Sequence, residues 1–374
     1  MPKGFELVGT AFGVAWRFAD VLPAGRVTGV VPPVPHGYLD TETTGLSGGT
    51  GTQVFAAAIC RPVEAGLELI QLFLPEPAAE PAFLSVLQEE MRAAPGLATY
   101  NGSRFDLPLL RTRWVMARMP GELEHPEHLD LLTLTRALLR QRLETCTLRA
   151  VEERLLGFER EDDLPGSLVP EVYLRYLRAG WTPGLEQALE HNRQDVVSLF
   201  YLHARLLQRL AGEDSRMDGA DWLALGRHLL RSGRQADGWR ALRRAVELAD
   251  GPASALAGIL LARGLQRRRL PLAAERLLAG LHTRMPEDVS LAVSRARLLE
   301  WSLHRPAAAH AVVAAALARL PAGSAQQPGL ERRLRRLEAR LQRARRPGEG
   351  SRKRPPKPAQ GELFPASAVR AAES

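Results

Sequence analysis

The first half of the chain alternates short apolar runs with longer segments of helical spacing. HGYLDTE at 36–42 opens with an apolar run that predicts a strand, and a Gly-rich turn, SGGTGT at 47–52, follows it. Later strands are predicted at 54–60, 67–74, 96–101 and 128–132, and helices at about 78–94, 105–116, 133–142, 147–156 and 184–208. Three hairpin strands followed by alternating helices and strands predict a mixed α/β sheet with helices packed on it.

Residues 216–321 have a different pattern, with helical periodicity throughout and many Ala, Leu and Arg. Pro252, Pro286 and Pro321 recur at intervals of 34 and 35 residues, which is the tetratricopeptide period. Further positions match the two helices of such a repeat, namely Trp222, Leu225, Gly226 and Leu229, then Gly238, Leu242 and Ala245. The later repeats are degenerate, so a generic array of helical hairpins is the alternative.

These patterns predict three regions along the chain. Residues 1–210 form the α/β domain, residues 216–322 the helical repeats, and residues 325–374 a basic helix at about 331–346 followed by a Pro-rich disordered tail. The last region holds 13 Lys and Arg against 5 Asp and Glu, a net charge of +8 that equals that of the whole chain. Such a tail either attracts phosphate backbones without sequence preference or is merely solvated.

Cysteine usage and hydropathy exclude several classes of protein. The two cysteines, Cys60 and Cys146, have no metal-ligand or redox spacing, so neither a disulfide framework nor a zinc site is expected. The first residues lack the apolar core of a signal peptide, and no run is apolar and long enough to span a bilayer. We therefore expect no membrane association and a cytoplasmic location.

Two acidic residues, Asp40 and Glu42, stand two apart on the strand predicted at 36–42. Because side chains alternate along a strand, both carboxylates point to the same face. Their mutual repulsion is usually relieved by a cation, and oxygen ligands select hard ions such as Mg²⁺ or Mn²⁺. An exposed acidic strand end is the alternative.

Two later segments add acidic residues at predicted helix positions. In ATYNGSRFDLPLL at 98–110, Asp106 falls in the first turn of a helix, where the helix dipole alone could favour it. In LEHNRQDVVSLFYL at 189–202, His191 and Asp195 are four apart and share a helix face that is otherwise apolar. A structural His–Asp pair is the alternative there.

Together the three segments resemble the motifs of the DEDD exonuclease superfamily, which has the ribonuclease H-like fold. That superfamily has Asp-x-Glu on its first strand, an Asn…Asp segment after a later strand, and an Asp closely preceded by His or Tyr. The counterparts here are Asp40 and Glu42, Asn101 and Asp106, and His191 and Asp195. The segments TETTGLSGGTGT, YNGSRFDLPLL, HLDLL, LPGS and HNRQD are most similar to the bacterial YprB-like branch, and the resemblance covers roughly residues 1–210.

The resemblance implies a 3′–5′ exonuclease that releases nucleoside 5′-monophosphates from the 3′ end of DNA or RNA. Two Mg²⁺ or Mn²⁺ ions would be held by Asp40, Glu42, Asp106 and Asp195. His191 would orient or deprotonate the attacking water. It stands four residues before Asp195, the spacing of the superfamily's Tyr class rather than its His class, so its role as a base stays open.

Four residues are assigned to the terminal nucleotide: Thr43, Leu46, Asn101 and Phe105. Leu46 is expected to wedge beside a base and Phe105 to stack on one, with core packing as the alternative for both. Asn101 also shapes its turn. Asp130 resembles a recurrent Asp of the superfamily, and we expect it to be structural.

A short peptide near the end of the tail, QGELF at 360–364, resembles the bacterial sliding-clamp-binding pentapeptide. Gln360, Leu363 and Phe364 match that pattern, whereas Gly361 departs from it. Two adjacent apolar anchors after a disordered linker can fill a groove on a partner. The prediction is docking on the clamp, and an incidental tail sequence is the alternative.

Other functions remain compatible with the sequence. The same metals serve structure-specific and RNA-processing nucleases, because substrate choice resides in the shape of the cleft. A non-enzymatic adaptor would bind nucleic acid through the α/β domain and a protein partner on the helical repeats. All four carboxylates are present, which argues against the adaptor, because unused clustered carboxylates destabilise a fold.

Overall fold

The computed structural model describes residues 4–23, 36–45, 49–119, 127–160, 164–248, 251–321 and 323–345. The chain divides into two compact units, residues 1–291 and 292–374. The domain limits expected from the sequence stay a prediction. Leu46 and the QGELF peptide, with Gln360, Leu363 and Phe364, lie outside the described residues.

A seven-stranded mixed sheet forms the centre of the first unit, in the order β1-β2-β5-β4-β3-β6-β7. Its strands are β1 (Phe5–Thr10), β2 (Gly13–Pro23), β3 (His36–Thr43), β4 (Val54–Val63), β5 (Gly66–Phe73), β6 (Gly96–Thr99) and β7 (His128–Asp130). Neighbours from β1 to β3 pair antiparallel, whereas β6 runs parallel to β3 and β7 parallel to β6. The carboxyl ends of β3, β6 and β7 therefore lie at one edge of the sheet.

Helices flank this sheet, which confirms the expected mixed α/β architecture. They are α1 (Glu80–Arg92), α2 (Asp106–Met116), α3 (Leu131–Leu139), α4 (Leu148–Val151), α5 (Val169–Ala179) and α6 (Pro183–Ala211). The long helix α6 begins with Pro183 after the N-cap Thr182 and ends at Gly212, whose φ of 75° suits glycine. Its buried face packs on β3 and β4 and carries Leu189, Val196 and Leu199.

The sequence did not predict the hairpin of β1 and β2. Along β2 only Ala15 is buried, and most other positions are half-buried or exposed. The period-two alternation that identifies a strand is therefore weak. Phe5 on β1 is buried in the core, so the hairpin still closes one side of the sheet.

Between residues 219 and 345 the described part of the chain is helical, as expected. The helices are α7 (Gly219–Arg231), α8 (Gln235–Leu248), α9 (Pro252–Arg267), α10 (Pro271–Arg284), α11 (Val289–Arg297), α12 (Pro306–Arg319) and α13 (Gln327–Arg345). Helices α7 and α8 pack closely: a Cβ on Gly226 would lie 2.8 Å from Leu242, and one on Gly238 would lie 2.7 Å from Leu230. These crossed contacts define an antiparallel hairpin, while the tetratricopeptide assignment stays a prediction. No described helix is long and apolar enough to cross a membrane.

Candidate functional site

The edge of the sheet where β3, β6 and β7 end carries the turn that leads into α2. Asn101 adopts a left-handed φ of 67°, and its backbone N–H donates to Asp130 Oδ1 at 2.9 Å. The same carboxylate caps α3 by accepting from the backbone N–H of Leu132 at 3.1 Å, and it accepts from the Ser103 hydroxyl. Asp130 therefore fixes the turn before Asp106, which confirms its expected structural use.

Four carboxylates from three segments meet at this edge: Asp40, Glu42, Asp106 and Asp195, hereafter the carboxylate cluster. Burial raises the pKa of Asp40 well above its usual value, and the negative charges of Asp195, Glu42 and Asp106 raise it further. Charges repel this effectively only when they are close and poorly screened. The four acidic side chains singled out in the sequence therefore share one site.

Two hydrogen bonds hold carboxylates of the cluster in place. The Asn192 side chain donates to Asp40 Oδ2 at 2.8 Å, which works against the rise in the pKa of Asp40. The Thr41 hydroxyl donates to Asp106 Oδ1 at 2.6 Å and ties the start of α2 to β3. Burial nevertheless raises the pKa of Asp106, although this hydrogen bond opposes it. Positions of both carboxylates are thus fixed by neutral donors.

A buried guanidinium, Arg160, lies against Asp195. It donates to Asp195 Oδ1 and to both oxygens of Glu152, at 2.7 Å and 2.5 Å. Burial works to lower the pKa of Arg160, but the two carboxylates outweigh it and raise that pKa. Burial also raises the pKa of Asp195, against the charge and the hydrogen bond of Arg160, which lower it. One permanent positive charge therefore stands at the Asp195 end of the carboxylate cluster.

His191 lies between this guanidinium and the cluster. Its Nδ1 is 3.0 Å from Arg160 Nη1, and because a guanidinium only donates, Nδ1 accepts. The ring proton is then on Nε2, which lies 3.7 Å from Asp195 Oδ2 and 4.0 Å from Glu42 Oε1. In this arrangement the Nε2–H of His191 faces the carboxylates.

Four residues of the site were missed in the sequence: Thr41, Glu152, Arg160 and Asn192. Asn192 had a detectable signal, because it is a polar residue on the buried stripe of α6 that includes Leu189 and Val196. Thr41 stands between two singled-out acids, but nothing in its identity predicts a bond to α2. Arg160 lies outside the helices and strands, at a position that no periodicity marks.

The donor set of the cluster fits hard divalent cations, because all four side chains offer carboxylate oxygens that repel one another. In the described part of the chain, no group of three or more His, Cys, Asp and Glu is already arranged to hold a metal ion. Asn192, Thr41 and Arg160 occupy oxygens of Asp40, Asp106 and Asp195 respectively. A metal would therefore have to displace or reorient those donors.

The residues assigned to the terminal nucleotide are placed unevenly. Phe105 is 51% exposed and directly precedes Asp106 at the start of α2. Thr43 follows a register shift at the end of β3, and its hydroxyl donates to the carbonyl of Gly45 at 2.8 Å. Asn101 lies in the turn after β6. Their contacts with a substrate stay predictions.

Comparison with known proteins finds a family similar to the α/β domain. Residues 37–207 match the family RNase_H_2, described as RNase_H superfamily, so this part of the chain is similar to that superfamily. The matched range includes all four carboxylates, His191 and Arg160.

The chain is also similar to the uncharacterized protein YprB of Bacillus subtilis (strain 168), with 35% identity over 178 residues. That match covers 47% of this chain and 43% of the relative, so the chain spans less than half of the relative's length. The family B DNA polymerase of the archaeon Pyrobaculum calidifontis aligns over 87% of this chain and 50% of its own, with 15% identity. Its TM-score of 0.38 is too low to establish a shared fold.

Proposed function

We propose that this protein is a metal-dependent nuclease that removes nucleotides from the 3′ end of a nucleic acid strand. The observation that carries the proposal is the convergence of four carboxylates from β3, α2 and α6 within a ribonuclease H-like domain. Burying mutually repelling carboxylates is costly without a cation to offset them. We therefore propose that the carboxylate cluster is a site for divalent metal ions.

The ions in the proposal are two Mg²⁺ or Mn²⁺. Their ligands would be Asp40, Glu42, Asp106 and Asp195. When bound, the metals supply an activated water and stabilise the charge that develops on the leaving oxygen. His191 directs its Nε2 toward the same carboxylates and is placed to orient a water there. The exposed ring of Phe105 offers a stacking surface for a base next to Asp106.

A second candidate is a nucleic-acid-binding protein with little or no catalysis, and one observation favours it. Arg160 already neutralises Asp195, so this end of the carboxylate cluster is satisfied without metal. A guanidinium is always charged in proteins and cannot leave by losing its proton. Metal loading at Asp195 would require Arg160 to give up its contact with Asp195 while keeping those with Glu152.

The two candidates are separated by incubating the purified protein with end-labelled DNA and RNA, single- and double-stranded, in Mn²⁺, Mg²⁺ or EDTA. The nuclease predicts cleavage with either metal, none with EDTA, and nucleoside 5′-monophosphates as the products from the 3′ end. Asp40→Ala and Asp195→Ala should each reduce the rate at least about a thousandfold, because each removes a ligand.

Glu186→Gln is the matched control, since Glu186 is an exposed acid in the first turn of α6, away from the cluster. It should cut at the wild-type rate. Retained cleavage in Asp40→Ala would contradict the metal assignment. Internal products from a strand with a blocked 3′ end would indicate an endonuclease instead, whether structure-specific or RNA-processing.

Two partner proposals rest on sequence alone. The QGELF peptide is proposed to dock on the bacterial sliding clamp through Gln360, Leu363 and Phe364. A peptide of residues 350–374 should bind the clamp, and Phe364→Ala should abolish that binding. The helical repeats are proposed to hold a protein partner.

A further inference from the structure

A second charged feature of the first unit lies between α3 and α7. A groove of about 1010 Å³ runs between these helices, and four arginines line it: Arg136, Arg140, Arg227 and Arg231. Each pair is spaced by one helical turn and points outward, because all four side chains are exposed. Asp130 is the single acidic side chain among the described residues that line the groove.

These arginines are not used by the fold. Within the described residues, none of the four side chains makes a hydrogen bond or an ion pair. The adjacent Arg142 does so, since it pairs with Asp218 and Asp221 at 2.8 Å. The dipole of a helix places about half a negative charge at its carboxyl end, which favours cations there. Each of the two helices, C-cap included, carries two arginines in the groove, so the dipole offsets only part of their positive charge. Most of the positive charge in the groove is therefore uncompensated.

His228, on the wall of the groove, reports the same electropositive environment. Burial lowers the pKa of His228, and the positive charges of Arg231 and Arg234 lower it further. The charged groups that face it from its own helix and the following turn are thus cations. On the opposite wall, Arg136 of α3 and Arg140 at its C-cap add two more.

The groove begins at the sheet edge that carries the carboxylate cluster. Asp130 ends β7 and lines the groove, and the same carboxylate holds the turn that leads to Asp106. Strand β7 is separated from β3 by β6 alone. At about 4.8 Å per strand, the start of the groove lies roughly 10 Å from the strand that carries Asp40.

We infer that this groove binds the sugar–phosphate backbone of the strand whose end lies at the carboxylate cluster. The inference deepens the proposed nuclease function and rests on it for the position of that end. Arginine forms bidentate bonds with phosphate, and a row of arginines binds a nucleic acid backbone without reading its sequence. The groove begins beside the carboxylate cluster, where the proposed nuclease would cut. This position favours nucleic acid over an acidic peptide as the molecule that binds in the groove.

The test measures binding of a fluorescein-labelled oligothymidylate to the full chain in EDTA, so that cutting cannot interfere. Arg227→Gln/Arg231→Gln and Arg136→Gln/Arg140→Gln should each bind about tenfold more weakly near physiological salt. The slope of log affinity against log salt should decrease by about 1.4 for two lost contacts, at about 0.7 each. Every variant keeps the basic tail, so the contribution of the tail is constant.

Arg263→Gln/Arg267→Gln is the matched control, because these two arginines are exposed and one turn apart on α9, outside the groove. It should bind like the wild type. Arg227→Lys/Arg231→Lys should keep the wild-type salt slope, which distinguishes lost charge from lost folding. Equal weakening in the α9 control would overturn the inference, because charge anywhere on the surface would then suffice.

Two further outcomes separate this inference from the proposed function. Groove variants that bind oligothymidylate like the wild type, in a protein that cuts, would overturn the groove and leave the nuclease standing. Weaker binding by the groove variants in a protein that never cuts would support the groove and remove the nuclease. Binding of polyglutamate that the groove substitutions weaken, with oligothymidylate unaffected, would make the groove a peptide site and overturn the inference.

Discussion

Two groups of carboxylates in the first unit, one half-buried and one buried, show opposite charge balance. In the carboxylate cluster, burial and the charges of neighbouring carboxylates raise the pKa of Asp40. In a second group at the junction of α6 and α7, Arg209 lies 3.0 Å from Asp214 and 2.9 Å from Asp221. Burial alone would raise the pKa of Asp214, but the Arg216 backbone hydrogen bond and the charge of Arg209 lower it.

The difference teaches how to separate structural acids from functional ones. Arg142 also pairs with Asp221, so the junction network of Arg142, Arg209, Asp214 and Asp221 balances its charges within the protein. The carboxylate cluster has four acids, with Arg160 shared between Asp195 and Glu152. Acids that the fold leaves unbalanced are available to an external cation, whereas balanced acids fasten helices together.

The largest expected difference is in stability. Asp221→Asn should lower the free energy of unfolding by about 3–5 kcal/mol, because it leaves the buried Arg209 with an incomplete partner. Asp40→Asn, the same chemical change, should raise the stability of the metal-free protein, because it relieves repulsion from three carboxylates. Urea denaturation in EDTA measures both. If Asp221→Asn and Asp40→Asn destabilised the protein equally, the two groups of carboxylates would not differ in charge balance.

A buried titratable pair between β3 and α6, close to the cluster, sharpens the comparison. Tyr38 Oη lies 3.0 Å from His203 Nδ1, and burial, reinforced by the charge of His36, lowers the pKa of His203 from 6.5 to about 4. A lowered folded-state pKa gives stability that is present above pH 6.5 and is lost as the pH falls toward 4.

The expected loss is about 3 kcal/mol over that window, given about 1.4 kcal/mol for each pH unit. Denaturation curves at several pH values measure it. His203→Gln should have a flatter dependence between those limits, since glutamine does not titrate. If the stability of His203→Gln depended on pH as that of the wild type does, the loss of stability would come from other titratable groups.

Within the cluster, His191 should affect rate rather than metal binding. His191→Ala is expected to slow cleavage about a hundredfold, because it removes a group that orients water, while every carboxylate remains. Mn²⁺ binding by titration calorimetry should stay close to that of the wild type. Full activity in this variant would make His191 a structural partner of Arg160.

The smallest effect is expected at Arg160. Arg160→Gln should tighten Mn²⁺ binding about tenfold, because it removes a positive charge that competes at Asp195. Arg149→Gln, on the exposed Arg149–Glu153 pair, is the control and should bind like the wild type. Weaker binding by Arg160→Gln would show instead that the guanidinium holds Asp195 in place for the metal.

The sequence by itself determined the elements with strong periodicity and the acids that stand in motifs. The strands other than β1 and β2, the long helix α6 and the described helices after residue 216 follow from local patterns of apolar residues. Asp40, Glu42, Asp106, His191 and Asp195 were singled out because their three segments together resemble the motifs of the DEDD exonuclease superfamily.

Only the tertiary structure decided how the charges are balanced. Arg160 reaches Asp195 across 35 positions, and Arg142 reaches Asp221 across 79, at distances that no local pattern specifies. The groove between α3 and α7 likewise exists only because helices from separate segments pack side by side. The physical reason is that periodicity reports which face of an element is buried, whereas electrostatic energy depends on distances between elements.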